Sequence, residues 1–148
     1  MSIRDARATD IEALGRIAET AGLFPAEYLA DMIRPALEGA ADIWLVAEID
    51  GVPAGFAFAR PEEMTDRVWN LLALGVAPAT QGKGLAGRLV AAIEARLDAR
   101  MIIVETTQLP EQAAARALYA KAGYEEEGRV RDFYSEGEDK VIFRKVLS

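Results

Sequence analysis

A glycine turn between a strand and a helix constrains this chain more than any other feature. Val68–Val76 is rich in strand formers, and Pro78 ends it. Gln81-Gly82-Lys83-Gly84 follows, and Leu85–Arg100 then reads as a helix. That helix puts Leu85, Leu89, Ala92, Ile93 and Leu97 on one side and Arg88, Glu94, Arg96 and Asp98 on the other, so it covers a sheet face. The turn is a row of backbone N–H groups leading into a helix N-terminus. Such a row is suited to a phosphate or pyrophosphate.

The rest of the chain reads as a framework for this turn. Ile3–Ala6 is a short edge strand. Thr9 or Asp10 caps a helix carrying Ile11, Leu14, Ile17 and Ala18 at helical spacing, and Gly22 stops it. A second helix runs from Pro25 to Leu37 with Tyr28, Leu29, Met32 and Ile33 on one face; Pro35 kinks or shortens it. Ile43–Ile49 and Val52–Ala59 are strands joined by the hairpin turn Asp50-Gly51. Ala54, Gly55 and Ala57 let something approach the second of them closely.

Arg60 to Asp66 is a polar loop. Met101–Glu105 contains a continuous apolar run, as in a central strand buried on both faces. Gln112–Ala122 is a helix stopped by Gly123. Tyr124–Tyr134 and Lys140–Leu147 form a closing hairpin around Glu136-Gly137. The order is β-α-α-β-β-β-α-β-α-β-β, an α/β chain with a mixed sheet and helices on both faces. Its 148 residues fit a single domain, 1–148.

Composition narrows the chemistry. The chain has no Cys and no His. Disulfides, thiolate metal sites, Cys nucleophiles and a Ser-His-Asp triad are excluded, and no metal site is expected. The formal net charge of −7 argues against nucleic acid as the main partner and mildly favours a cationic one. No apolar run approaches the ~20 residues needed to span a bilayer, and the N-terminus lacks a signal-type apolar stretch. A cytoplasmic protein without a membrane partner is expected.

Three readings of the turn compete. A P-loop fails on spacing, because Ala77 and Gly84 stand where that motif needs Gly and Ser or Thr. A dinucleotide site matches Gly82-x-Gly84-x-x-Gly87 literally, with Glu105 near the position of a ribose-binding acid. Against it, Pro78-Ala79-Thr80-Gln81 separate strand from glycines, and the tail reads as a hairpin where further βαβ units are required. The third reading is a resemblance. Val76-x-Pro78-x-x-Gln81-Gly82-Lys83-Gly84-Leu85-Ala86 resembles the acetyl-CoA signature of the GCN5-related N-acetyltransferases (GNAT superfamily), and Ala115-x-x-Leu118-Tyr119-x-x-x-Gly123-Tyr124 resembles their second signature. The element order resembles that fold from about Ile3 to Leu147.

The resemblance implies a GNAT-like acyl-CoA N-acyltransferase fold with a mostly antiparallel sheet. It implies direct acetyl transfer from acetyl-CoA to a primary amine, a small molecule in preference to a protein. Residues Gln81, Gly82, Lys83, Gly84, Leu85, Ala86 and Gly87 would hold the pyrophosphate, with Arg88 adding charge; Lys83 and Arg88 also read as solvated surface cations. Leu74 and Val76 would hold the pantetheine arm with backbone groups. Gln112, where the family often has Asn, and Ala115 would contribute on the second signature. Tyr119 matches the tyrosine that protonates the leaving thiolate, against a Tyr packed as core with its hydroxyl at the rim; a phenol of pKa about 10 donates to a thiolate of about 8.5. A homodimer through the C-terminal hairpin is also compatible with the family.

Other positions keep two readings. Gly75 suggests a bulge or a close backbone approach, against a packing constraint under a helix. Glu105 is the candidate base if burial raises its pKa, against a carboxylate bonded to N–H groups or Arg. Phe24, Tyr28, Trp69, Phe133 and Tyr134 are candidate acceptor contacts, against core or hairpin packing. Asp132-Phe133-Tyr134 with Asp139 beyond it is the preferred lid. The loop Thr106–Glu111 is longer than the common family form. A non-catalytic acyl-CoA-binding module of the same fold is the alternative to an enzyme, and Tyr119→Phe discriminates the two.

Overall fold

The computed structural model describes all residues from Met1 to Ser148. Its strands are β1 Ser2–Asp5, β2 Ile43–Ile49, β3 Val52–Pro61, β4 Val68–Val76, β5 Met101–Thr107, β6 Glu125–Ser135 and β7 Glu138–Val146. Its helices are α1 Ile11–Thr20, α2 Leu29–Leu37, α3 Leu85–Arg96 and α4 Ala113–Lys121. The strands form one sheet in the order β1-β2-β3-β4-β5-β7-β6. β4 and β5 run parallel. The pairs β1–β2, β2–β3, β5–β7 and β6–β7 are antiparallel. The expected element order and mixed sheet are thus found. No helix is long and apolar enough to cross a membrane.

Residues group into two compact units, Met1–Arg60 with Leu72–Leu97, and Pro61–Leu71 with Asp98–Ser148. In the first, α1 and α2 bury Leu14, Ile17, Ala18, Leu29 and Ile33 against Trp44, Val46, Phe56 and Phe58. Trp44 stacks on Phe58 with ring centroids 4.2 Å apart and on Phe56 at 5.6 Å. Each fully buried large side chain contributes about 1.5–3 kcal/mol relative to exposure. Asp50 and Gly51 both take positive φ, 52° and 77°, the geometry that matches strand twist in a two-residue hairpin.

Expectations change at two helix starts. Asp10 stands at the start of α1 but makes no side-chain cap to it. Its carboxylate accepts from the Arg7 amide at 2.7 Å and from the Arg4 guanidinium. The second helix also begins later than expected. Ala26–Tyr28 forms a 3-10 turn and α2 starts at Leu29. That tighter turn takes Tyr28 off the buried face of Leu29 and Ile33 and leaves it 53% exposed.

Small residues at the β3–β4 contact meet each other. A Cβ on Gly55 would stand 3.0 Å from the Gly75 carbonyl oxygen and 3.2 Å from Leu89. A Cβ on Gly75 would meet Phe56 at 3.0 Å, Leu23 at 3.1 Å and Ile17 at 3.4 Å. Gly75 therefore serves packing under α1 and β3, the second of its two sequence readings. α3 ends at Arg96, four residues before the expected Arg100, because Leu97 is already extended (φ −86°, ψ 138°).

In the second unit β5 pairs with β4 on one side and β7 on the other. Ile102 and Val104 are buried, while Met101, Ile103 and Glu105 are half-buried. β5 is central in the sheet but has one wetter face, and that face carries Glu105. The Arg100 amide bonds the Arg67 carbonyl at 2.8 Å, and the Leu147 amide bonds the Arg100 carbonyl at 2.8 Å. Past the end of α4, Gly123 (φ 96°) closes the helix, with the Tyr124 amide on the Tyr119 carbonyl and the Gly123 amide on the Ala120 carbonyl. That pair of bonds satisfies the last turn of the helix.

Candidate active site

The glycine turn is open and has unsatisfied donors. Gly82 and Gly84 both have φ of 79°, and nothing lies within 4 Å of where a Cβ would stand on either. Gly84 caps α3 with no side chain, and the first backbone bond of the helix is from the Arg88 amide to the Gly84 carbonyl at 3.1 Å. The amides of Leu85, Ala86 and Gly87 precede that bond, so the helix itself supplies them no acceptor. Lys83 and Arg88 are exposed and make no ion pair. Gln81 is exposed and extended at the end of the Pro78–Thr80 turn. Upstream on β4, Leu74 and Val76 are half-buried. These residues fit a pyrophosphate: a backbone open at two left-handed glycines, free amides and two uncommitted cations.

A second cluster surrounds Glu105. Asn70 on β4, 4% exposed, donates from Nδ2 to Glu62 Oε1 at 2.9 Å and to Glu105 Oε1 at 3.0 Å. The two carboxylates fix the orientation of this carboxamide, since a flipped amide would aim its oxygen at both. Asn70 Oδ1 is consequently buried without a donor. Glu105 Oε2 is 2.6 Å from Lys140 Nζ. Register explains the pair: Glu105 lies opposite Ile142, so Lys140 is its diagonal neighbour on the same face. The Lys140 ammonium also stands 3.7 Å from the centre of the Phe133 ring. Glu105 is a half-buried carboxylate already bonded to a side-chain amide and an ammonium, which matches the second of its two sequence readings.

The hairpin presents Phe133 and Tyr134 through a break in the ladder. Val130 pairs with Lys140 and Ser135 with Glu138, so residues 131–134 face Asp139 alone. Asp132 takes φ of 55°, a left-handed conformation that Asp tolerates better than most residues. Asp139 Oδ1 accepts from the Asp132 amide at 3.0 Å, and Asp132 Oδ1 accepts from the Gly137 amide at 2.8 Å. Gln108 reaches in from the loop after β5. Its Nε2 donates to the Gly137 carbonyl and its Oε1 accepts from the Asp139 amide, both at 2.7 Å. Phe133 and Tyr134 meet edge to face at 5.0 Å and remain about half exposed. Burial, then the charges of Glu105 and Glu138, push the Tyr134 phenol up.

Tyr119 is buried in α4, against Tyr124 and Phe143 with ring centroids 5.9 Å away in each case. Burial pushes its phenol up to about 12. Gln112 is the residue before α4, and Ala115 lies in its first turn; both are half-buried. Arg116 ties the helix to the preceding loop by donating to the Thr107 carbonyl at 2.6 Å and the Leu109 carbonyl at 2.9 Å.

The structure brings Glu105, Phe133 and Tyr134 of the predicted set together. Gln81–Gly87, Leu74 and Val76 lie in the unit that also contains Phe24 and Tyr28. Phe24 packs against the core of that unit, and Trp69 is half-buried in β4. Sequence reasoning missed Asn70, Glu62, Gln108 and Lys140. Alternation along β7 offered a signal for Lys140: Val141 and Phe143 are buried, so Lys140 takes the face opposite to theirs.

The acetyltransferase (GNAT) family model matches residues 11–124. No curated protein sequence matches the chain. Among solved structures, a GNAT-family protein from Desulfovibrio desulfuricans is 26% identical, with 99% of each chain covered and a TM-score of 0.92. The ribosomal-protein-alanine N-acetyltransferase of Brucella melitensis is 25% identical over 99% of this chain and 100% of its own, with a TM-score of 0.79. A Salmonella typhimurium protein solved with its cofactor acetyl-CoA is 23% identical over 100% and 94%, with a TM-score of 0.80.

Proposed function

Because this chain belongs to the GNAT acetyltransferase family, we propose that it transfers the acetyl group of acetyl-CoA directly to a primary amine, a small molecule in preference to a protein. The observation that carries the reading is the uncapped start of α3 behind two left-handed glycines with open space at both. Amides of residues 82 to 87 bind the pyrophosphate, with Lys83 and Arg88 adding charge. Backbone groups of Leu74 and Val76 position the pantetheine arm, and Gln112 and Ala115 contribute from the start of α4.

In the transfer the amine nitrogen bonds the acetyl carbon and the carbon–sulfur bond breaks. The Tyr119 phenol gives its proton to the departing thiolate. The amine's proton leaves to Glu105, directly or through water, once Lys140 releases that carboxylate. With Cys and His absent, no acyl-enzyme step is invoked. The rate gain comes mainly from positioning and from carbonyl polarisation by backbone N–H groups.

Calorimetric titration with acetyl-CoA, with NADH as control, tests the reading. Binding of acetyl-CoA alone, followed by thiol release across a panel of amines, is expected. Absence of acetyl-CoA binding would overturn it. Binding without thiol release on any amine would leave an acyl-CoA-binding module.

A further inference from the structure

We infer that the Lys140 ammonium is an internal stand-in for the acceptor, and that the site takes an aliphatic primary ammonium which displaces it from the Glu105 carboxylate and the Phe133 ring. The inference deepens the transferase reading by naming the charge and shape of the acceptor, and it rests on that reading for its role in turnover. The binding site itself rests on geometry within one compact unit.

The environment of Lys140 Nζ is that of a bound ammonium. A carboxylate oxygen lies at 2.6 Å and an aromatic face at 3.7 Å, a combination that selects a compact cation over a neutral amine. The receptor is built independently of Lys140. Asn70 and Glu62 hold Glu105 from one side. Gln108, Asp139 and left-handed Asp132 fix the break that presents Phe133 from the other.

Asn70 occupies Glu105 Oε1, which leaves Glu105 Oε2 as the oxygen offered to the cation. Lys140 can leave: its side chain is 17% exposed, Phe133 is half exposed, and its four-carbon stem rotates into water. A tethered competitor acts at an effective concentration in the millimolar range, so it screens out weak ligands without closing the site. A free alkylamine and a peptide N-terminus share this chemistry.

The test uses the full chain and two probes, n-butylammonium for the free amine and alaninamide for the peptide N-terminus. The ε-methylene protons of Lys140 should be shifted upfield by the Phe133 ring, and Phe133→Leu should remove that shift, which assigns the signal. Either probe should return the signal toward its free-lysine position, and the tighter probe identifies the source of the ammonium. Lys140→Met should raise probe affinity about tenfold, the scale expected when a charged competitor is removed from a partly desolvated carboxylate and ring. Lys140→Gln serves if the Met variant folds poorly.

A signal unmoved by both probes up to about 100 mM, well above the millimolar competitor, overturns the inference. So does displacement by acetate alone, which would make Lys140 an anion receptor. Acetyl-CoA titration of the same samples separates the two claims. Its failure removes the transferase reading and leaves the ammonium site, whereas failure of the probes leaves acetyl-CoA binding intact.

Discussion

Arg4 and Asp10 meet as a fork, Nη1 to Oδ2 and Nη2 to Oδ1, both at 2.8 Å. The pair joins β1 to the entry of α1, and Glu48 of β2 approaches the same guanidinium at 3.1 Å. Hydrogen bonding from Arg4 holds the Asp10 carboxyl below its ordinary value against the opposing effect of burial. Asp10 and Glu48 together hold the Arg4 guanidinium firmly protonated.

Arg4→Met leaves the Asp10 carboxylate buried without its cation and should cost about 3 kcal/mol near neutral pH in urea denaturation. A depressed carboxyl contributes stability above its unfolded pKa of about 3.9 and loses that contribution as pH falls through the lower native value. The gap between wild type and variant should therefore shrink below about pH 4. A gap that is constant on acidification would show that the carboxylate is not its source.

Gly55→Ala and Gly75→Ala should both destabilise the first unit, by about 1–3 kcal/mol, but not equally. The new methyl at Gly55 meets a backbone carbonyl, which cannot turn aside. The one at Gly75 meets the ends of Phe56 and Leu23, which can rotate. Thermal unfolding should rank Gly55→Ala the lower, and the reverse order would locate the tight contact elsewhere.

Gly84→Ala forces a side chain to a φ of 79° without touching any neighbour. The left-handed penalty of about 1–2 kcal/mol sets the stability loss. The methyl stands in the open space over the helix amides, so acetyl-CoA affinity should fall at least tenfold, about 1.4 kcal/mol. Calorimetry on a variant shown folded by circular dichroism checks this. Unchanged affinity would move the pyrophosphate away from the turn.

Tyr119→Phe keeps the ring packing against Tyr124 and Phe143 and removes only the hydroxyl. Turnover should fall about 10²–10⁴-fold with acetyl-CoA affinity kept. An acid must be protonated to act, and this phenol is pushed up to about 12. Its ionisation should therefore put no alkaline limb on the rate below about pH 11. A limb near pH 10 that disappears in the Phe variant would show a phenol not shifted by burial.

Local chemistry made much of the fold legible. Asp50-Gly51 announces its hairpin, Gly123 its helix stop, and Val68–Val76 begins and ends where its apolar pattern does. Boundaries set by distant partners were not legible. Leu85–Arg100 reads as one helix, yet Arg100 bonds Arg67, thirty-three positions earlier, and no local signal marks that bond. The site divides in the same way. The glycines of the turn carry their own geometry, whereas Glu105 gains its meaning from Asn70 and Lys140, each 35 positions away. The left-handed bend at Asp132 uses a residue that tolerates the conformation without announcing it.

The same bend has a consequence for the rim of the sheet. β6 is a terminal strand of 11 residues and is exposed along nearly all its length. A long straight edge of that kind templates growth by strand addition. Here Glu125, Glu126 and Glu127 crowd one end with like charge, and the break at 131–134 stops the ladder before the other. A neighbouring chain finds no uninterrupted row of free amides and carbonyls to copy. The distortion that sets Phe133 against Lys140 thereby also interrupts the edge at which another strand would add.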